Sequence, residues 1–170
     1  ACWKVLSEKF APANLSGLSL ALSPFRKASI CAEETEVIYF SEKFEFAAMH
    51  KLWNEQLSEK KNLEVFGKCA NPAGHGHNYI IEVTVKRPLE QGDFGIGEFE
   101  RIIDQEFIKL VDHKNLNVDV KDLAGVNPTV ENIAAFAWGK LALHLGERLH
   151  CVTVWENDRT YCSYCGARDS

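Results

Sequence analysis

The stretch HGHNYIIEVTV, His75 to Val85, decides how the rest of the chain is read. His75, His77, Tyr79, Ile81, Val83 and Val85 share one parity, and Asn78, Glu82, Thr84 and the following Lys86 share the other. Such alternation is the mark of a half-buried strand, so both histidines are expected to point inward with the apolar side chains. Alternate strand residues lie about 6.6 Å apart on one face, close enough for two imidazoles to converge on one ion. Gly74 and Gly76 would permit a tight turn into the strand.

Upstream, Val37 to His50 alternates again, with Phe44, Phe46, Ala48 and His50 on one face and Lys43 and Glu45 on the other. A charged, amide-rich connection at Asn54 to Asn62 joins the two strands. Downstream, a turn is expected at Gln91 to Gly97. Phe99, Ile102, Ile103, Phe107, Leu110 and Val111 then carry the spacing of one helix face, ending before Asp112-His113. In NPTVEN, Asn127 reads as a cap with Pro128 in the first helical position, and the helix runs to about Leu145. Leu149 to Glu156 and Thr160 to Tyr164 read as strands flanking a turn at Asn157-Asp158. The order ββααββ implies an α+β fold: a four-stranded antiparallel sheet with two helices on one face.

Bulk properties narrow the partners. A chain of 170 residues suits one domain. With 19 Lys plus Arg against 24 Asp plus Glu, the net charge of -5 argues against a nucleic-acid partner. No apolar run is long enough to span a bilayer, so no membrane partner is expected. Leu15 to Leu22 is broken by Ser16, Gly17 and Ser19, which speaks against a secretory leader, and cytoplasmic localisation is the working expectation. The six cysteines should then be mostly free thiols. Ser-Glu-Lys-Phe occurs at residues 7–10 and 41–44, either as a paired edge strand or by chance.

Several side chains carry possible chemistry. His50, His75 and His77 can form a three-imidazole site with an open fourth position, as in catalytic zinc sites, or each can be a hydrogen-bonded core or turn residue. Cys69, six residues before His75, can be a base or nucleophile, a fourth zinc ligand, or a small hydrophobe. Asp112-His113 fits either an oriented proton donor or a solvated helix end. Glu156 shares the parity of Val152 and Val154, and either projects into a site or sits at the surface.

Taken together, FEFAAMHKL, NLEVFGKCANPAGHGHNY, LVDHKNLN, NPTVENIAAFAW and VTVWEND resemble the 6-pyruvoyl-tetrahydropterin synthase family in order and separation, over roughly Val37 to Gly166. The resemblance implies the tunnelling fold, in which subunits assemble into a ring-shaped barrel as a dimer of trimers with active sites at subunit interfaces. It implies His50, His75 and His77 as ligands of Zn2+, and Cys69 with Asp112 and His113 as the catalytic, proton-transferring groups. Glu156 would anchor the pterin ring, and Thr129 would contact it. The implied substrate is a small pterin triphosphate, 7,8-dihydroneopterin triphosphate. Triphosphate is eliminated and the side chain becomes a diketone without an external redox cofactor.

Two departures stand out. Family members usually carry Asp or Asn in the segment entering the first helix, where this chain reads GDFGIGEF. A basic residue more often precedes the final glycine, where this chain has Cys165. Cys162-x-x-Cys165 is not expected to form a metal or redox pair, because strand residues three apart face opposite sides. Five residues separate Cys69 from His75. This favours the pyruvoyl-forming enzyme over the related 6-carboxytetrahydropterin synthases of deazapurine biosynthesis, which typically have three. A non-catalytic zinc- or pterin-binding scaffold is the third reading. Residues 1–34 form an N-terminal extension to a synthase-like domain at 35–170; they can extend the sheet, cover a subunit edge or lack order.

Overall fold

The computed structural model describes residues 2–91 and 95–166, so residues 92–94 of the expected turn lie outside the described residues. The elements in chain order are α1 (Cys2–Lys9), β1 (Gly17–Ala21), β2 (Arg26–Cys31), β3 (Val37–His50), α2 (Glu59–Phe66), β4 (His75–Pro88) and α3 (Ile96–Ile103). They continue with α4 (Lys109–Val111), β5 (Lys114–Asn115), α5 (Val130–Leu145), β6 (Leu149–Asn157) and β7 (Thr160–Tyr164).

The expected four-stranded antiparallel sheet is present as β3-β4-β6-β7. The alternation in β3 and β4 fixes their register, with His50 opposite His75 and Ala48 opposite His77. Tyr79, Ile81 and Val83 of β4 and Val152 and Val154 of β6 are buried against α3 and α5, which supply Phe99, Ile103, Ile133, Ala137 and Leu141. Full burial of each such aliphatic side chain contributes about 1.5–3 kcal/mol before entropy is counted. Phe46 stacks on Tyr79 with ring centroids 4.9 Å apart, and Phe107 meets Phe46 edge-on at 5.4 Å. This aromatic block lies directly beneath the histidine end of the two strands.

The sheet is wider than expected. The β1-β2 hairpin pairs along residues 39–42 of β3, and β5 runs parallel to residues 48–49 on the remaining edge. Arg26 ties the hairpin down: its Nε donates to Glu42 Oε1 at 2.7 Å, and its guanidinium also bonds Glu100 of α3. The first Ser-Glu-Lys-Phe copy lies largely in α1 and the second in β3, so the repeat pairs no strands.

Other elements also differ from expectation. Part of the Asn54 to Asn62 connection is helical, because Ser58 caps α2 by accepting from Lys61 N at 3.2 Å. The helix expected from Phe99 to Val111 is interrupted by a π-turn at Asp104–Ile108. Its first segment begins at Ile96, and Gly95 at the cap position offers no side-chain hydrogen bond. Asn127 does not cap α5. Its Oδ1 is taken by Trp53 N at 2.8 Å, and the cap is Thr129, whose hydroxyl accepts from Asn132 N at 3.5 Å.

Candidate metal centre and active site

His50 ends β3, and His75 and His77 begin β4, so antiparallel pairing alone gathers three imidazoles at one end of the sheet. Their ring centroids lie 4.6–5.1 Å apart. His50 is fully buried at 1% exposure. Gly74 makes the approach possible: its φ is +71°, and a Cβ there would sit 2.9 Å from the His50 carbonyl oxygen.

On two of these rings the Nδ1 proton is already committed. His50 Nδ1 donates to Pro128 O at 2.8 Å, and His75 Nδ1 donates to Lys68 O at 3.0 Å. A carbonyl can only accept, so in the neutral rings both Nε2 atoms carry lone pairs, yet they face each other at 3.1 Å. Burial holds His50 below the usual histidine range, which favours its neutral form. His77 Nε2 is also buried and has no hydrogen-bond partner among the described residues; Glu156 Oε1 is 2.8 Å away but out of line for an N–H···O bond. The donor atoms of His50, His75, His77 and Glu156 all lie within 4.8 Å of one another. Lone pairs converging without protons between them fit a bound cation, and backbone acceptors behind the rings are the usual support for metal-binding histidines.

Cys69 sits in a short 3-10 turn, Gly67–Ala70, that follows α2. Asn62, buried in α2, donates to Asn54 O, Leu57 O and Ser58 O and thereby fixes the segment that enters this helix, while Leu52 N donates to Cys69 O at 2.8 Å and holds the turn itself. Cys69 Sγ lies 3.6 Å from His75 Nε2. Burial, and then the Glu156 charge, push the Cys69 thiol up, so the protein matrix alone favours the protonated form. Cys69, His75, His77 and Glu156 share the wall of one cavity of about 680 Å³.

Asp112 and His113 are elsewhere. Asp112 Oδ1 accepts from Ala47 N at 2.9 Å, and His113 N donates to Ala47 O at 2.6 Å, so the pair grips one β3 peptide from its open edge. His113 holds a positive φ of 56°, and its Nδ1 lies 2.9 Å from Asp112 Oδ2. The Ala47 amide, chiefly, and His113 hold the Asp112 carboxyl below its usual range. The His113 side chain is 82% exposed and faces a second cavity, of about 540 Å³, bounded by Gly76 and His77 on its far side. Thus the structure gathers His50, His75, His77, Cys69 and Glu156, orients Asp112 with His113, and leaves that dyad outside the Cys69 cavity. Thr129 is placed as the α5 cap, beside the Pro128 carbonyl that orients His50.

Sequence reasoning missed the supporting groups, namely the carbonyls of Lys68 and Pro128 and the Tyr79 hydroxyl, which is 3.3 Å from His50 Nδ1. Only Tyr79 left a signal, because it shares the parity of His75 and His77. No helix among the described residues is long and apolar enough to cross a membrane.

Residues 39–167 match the family described as 6-pyruvoyl tetrahydropterin synthase. The chain is 39% identical over 135 residues to 6-pyruvoyl tetrahydrobiopterin synthase of Drosophila melanogaster, covering 76% of this chain and 80% of that one. It is 37% identical over 131 residues to the Homo sapiens protein of that name, covering 74% and 90%. The solved structure of Caenorhabditis elegans 6-pyruvoyl tetrahydropterin synthase superposes with a TM-score of 0.70 at 30% identity, covering 77% of this chain and 96% of that chain.

Proposed function

Because the chain belongs to the 6-pyruvoyl tetrahydropterin synthase family, we propose that it is a zinc-dependent carbon–oxygen lyase converting 7,8-dihydroneopterin triphosphate to 6-pyruvoyl-tetrahydropterin. The single observation that supports this most is the convergence of three imidazoles, two of which, His50 and His75, face each other with unprotonated Nε2 atoms, while the buried Nε2 of the third, His77, has no hydrogen-bond partner among the described residues. The reaction needs no external redox partner. Loss of triphosphate and oxidation of the side chain to a diketone are balanced internally by reduction of the dihydropterin ring to its tetrahydro form.

His50, His75 and His77 would hold the zinc, consistent with a preference for neutral nitrogen donors and one open position. When bound, zinc supplies Lewis acidity toward the substrate's side-chain hydroxyls, and the adjacent C–H and O–H protons become easier to remove. Cys69 takes a proton on one side of the side chain. His113, oriented by Asp112, exchanges one on the other. Glu156 closes the Cys69 cavity opposite the loop and accepts hydrogen bonds from the pterin amino group and ring N–H, with Thr129 as a further contact. A carboxylate suits that edge because every group it meets there is a donor.

His113 is exposed and outside the Cys69 cavity, which supports a ring assembly, a dimer of trimers, in which a neighbouring copy completes each site. We place this enzyme in the cytoplasm, with residues 1–34 as an extension to the synthase domain at 35–170. Metal analysis tests the core of the proposal: the purified protein should carry about one zinc per chain, and His75→Ala should lose most of it. Full zinc occupancy in that variant would overturn the ligand set.

A further inference from the structure

The sheet face turned away from the helices carries a second pair of nucleophilic side chains. In the β6-β7 hairpin Val152 pairs with Tyr164 and Thr153 with Ser163. One step further, Cys151 comes opposite Cys165. The strand alternation sets Cys151, Thr153, Ser163 and Cys165 on one face, because Val152 and Val154 point into the core. The row is tight: Thr153 Oγ1 and Ser163 Oγ share a hydrogen bond at 2.8 Å, and the sulfurs of Cys151 and Cys165 are 2.7 Å apart.

Cys162 does not compete for either thiol. It pairs across the hairpin with Val154 and so faces the helices. Cys165 is held in place from its other side by Gly166, which has a φ of +83° and lies so close to Trp138 that a Cβ would sit 2.8 Å from the indole. Trp138 also packs edge-on against Tyr164, at 5.7 Å. The chain leaving β7 is thereby pinned to α5, and Cys165 has little freedom to leave Cys151.

We propose that Cys151 and Cys165 form a reversible dithiol modification site that is oxidised to an intramolecular disulfide by a small-molecule disulfide. Cys165 is the exposed member and attacks first. Its thiolate displaces one thiolate from the oxidant and leaves a mixed disulfide on Cys165. Cys151 then loses its proton and attacks the Cys165 sulfur, forming the Cys151–Cys165 bond and expelling the second thiolate. The dithiol loses two electrons and two protons, and the oxidant leaves as two thiols. Burial pushes the Cys151 thiol up to about 12, which suits the resolving rather than the attacking position. The new bond would close a loop of fifteen residues that contains Glu156 and the hairpin turn, and would staple the last strand of the sheet to its neighbour.

The test uses the full-length protein in its native assembly, equilibrated in reduced and oxidised glutathione buffers of graded ratio, then alkylated and digested without reduction. Mass spectrometry should show the Cys151 and Cys165 peptides joined with loss of two hydrogens at the oxidising end, and free again at the reducing end. Cys162→Ser should keep the link and Cys165→Ser should abolish it. Hydrogen exchange of residues 160–164 should slow in the oxidised form. The proposal is overturned if both thiols remain alkylatable in the most oxidising buffer, if a glutathione adduct on either is the end product, or if Cys162 is found in the link.

Discussion

Replacing Cys69 with Ala separates a proton-transfer group from a metal ligand more cleanly than any change to the histidines. The Cys69 sulfur is 3.6 Å from His75 Nε2, while the four donors that gather within 4.8 Å are His50, His75, His77 and Glu156. Removing a half-buried sulfur from a turn tied down by the Leu52 N–H to Cys69 O bond should cost no more than about 1 kcal/mol of stability. Zinc content and substrate affinity should be unchanged, because the three imidazoles and Glu156 remain. Turnover should fall by about 10²–10⁴, equivalent to roughly 2.7–5.4 kcal/mol in the barrier. Metal analysis, equilibrium binding and single-turnover kinetics on one preparation read all three quantities. Zinc lost together with stability would make Cys69 a ligand. Zinc retained with normal turnover would leave it without a chemical role.

Two further outcomes follow from neighbouring groups. Glu156→Gln turns one acceptor oxygen into a donor facing pterin N–H groups, so affinity for a pterin product should fall by about 1–3 kcal/mol, measured by calorimetry; unchanged affinity would remove Glu156 as the anchor. Asp112 titrates below its unfolded value, so its contribution to stability is complete above an unfolded pKa of about 3.9 and is lost as pH falls through the lower folded value. Asp112→Asn should therefore flatten the acid limb of the stability curve below about pH 4, and an unaltered limb would show that the Ala47 amide gains nothing from the charge.

How much of this was legible in the sequence depended on whether a pattern had one buried face. β3 and β4 do, and their alternation yielded both strands and the inward direction of all three histidines, while the pairing of His50 with His75 came from the structure. β1 does not: Gly17–Ala21 is almost wholly exposed, so no periodicity marks it as a strand. The hairpin is held instead by pairing to β3 and by the charges of Arg26, Glu42 and Glu100, which are far apart in sequence. α2 was hidden for a related reason. Only Asn62 of its eight residues is buried, and that side chain serves the loop rather than an apolar stripe. The choice between Asn127 and Thr129 as cap could not be made locally, because it turns on Trp53, whose amide claims the Asn127 side chain from 74 residues away. Backbone carbonyls such as those of Lys68 and Pro128 have no sequence signature at all. The separation of His113 from the Cys69 cavity was equally invisible, since both motifs read as parts of one site.

The most direct test of the proposed activity is the identity of the product formed from 7,8-dihydroneopterin triphosphate by the zinc-loaded protein, followed by mass spectrometry under anaerobic conditions. The expected product is a tetrahydropterin that has lost triphosphate and kept all three side-chain carbons as a diketone, with no nicotinamide or flavin added. Release of a two-carbon aldehyde would instead identify the carboxy-forming reaction, and a zinc-loaded protein that leaves the triphosphate unchanged would contradict the assignment as an enzyme of this substrate.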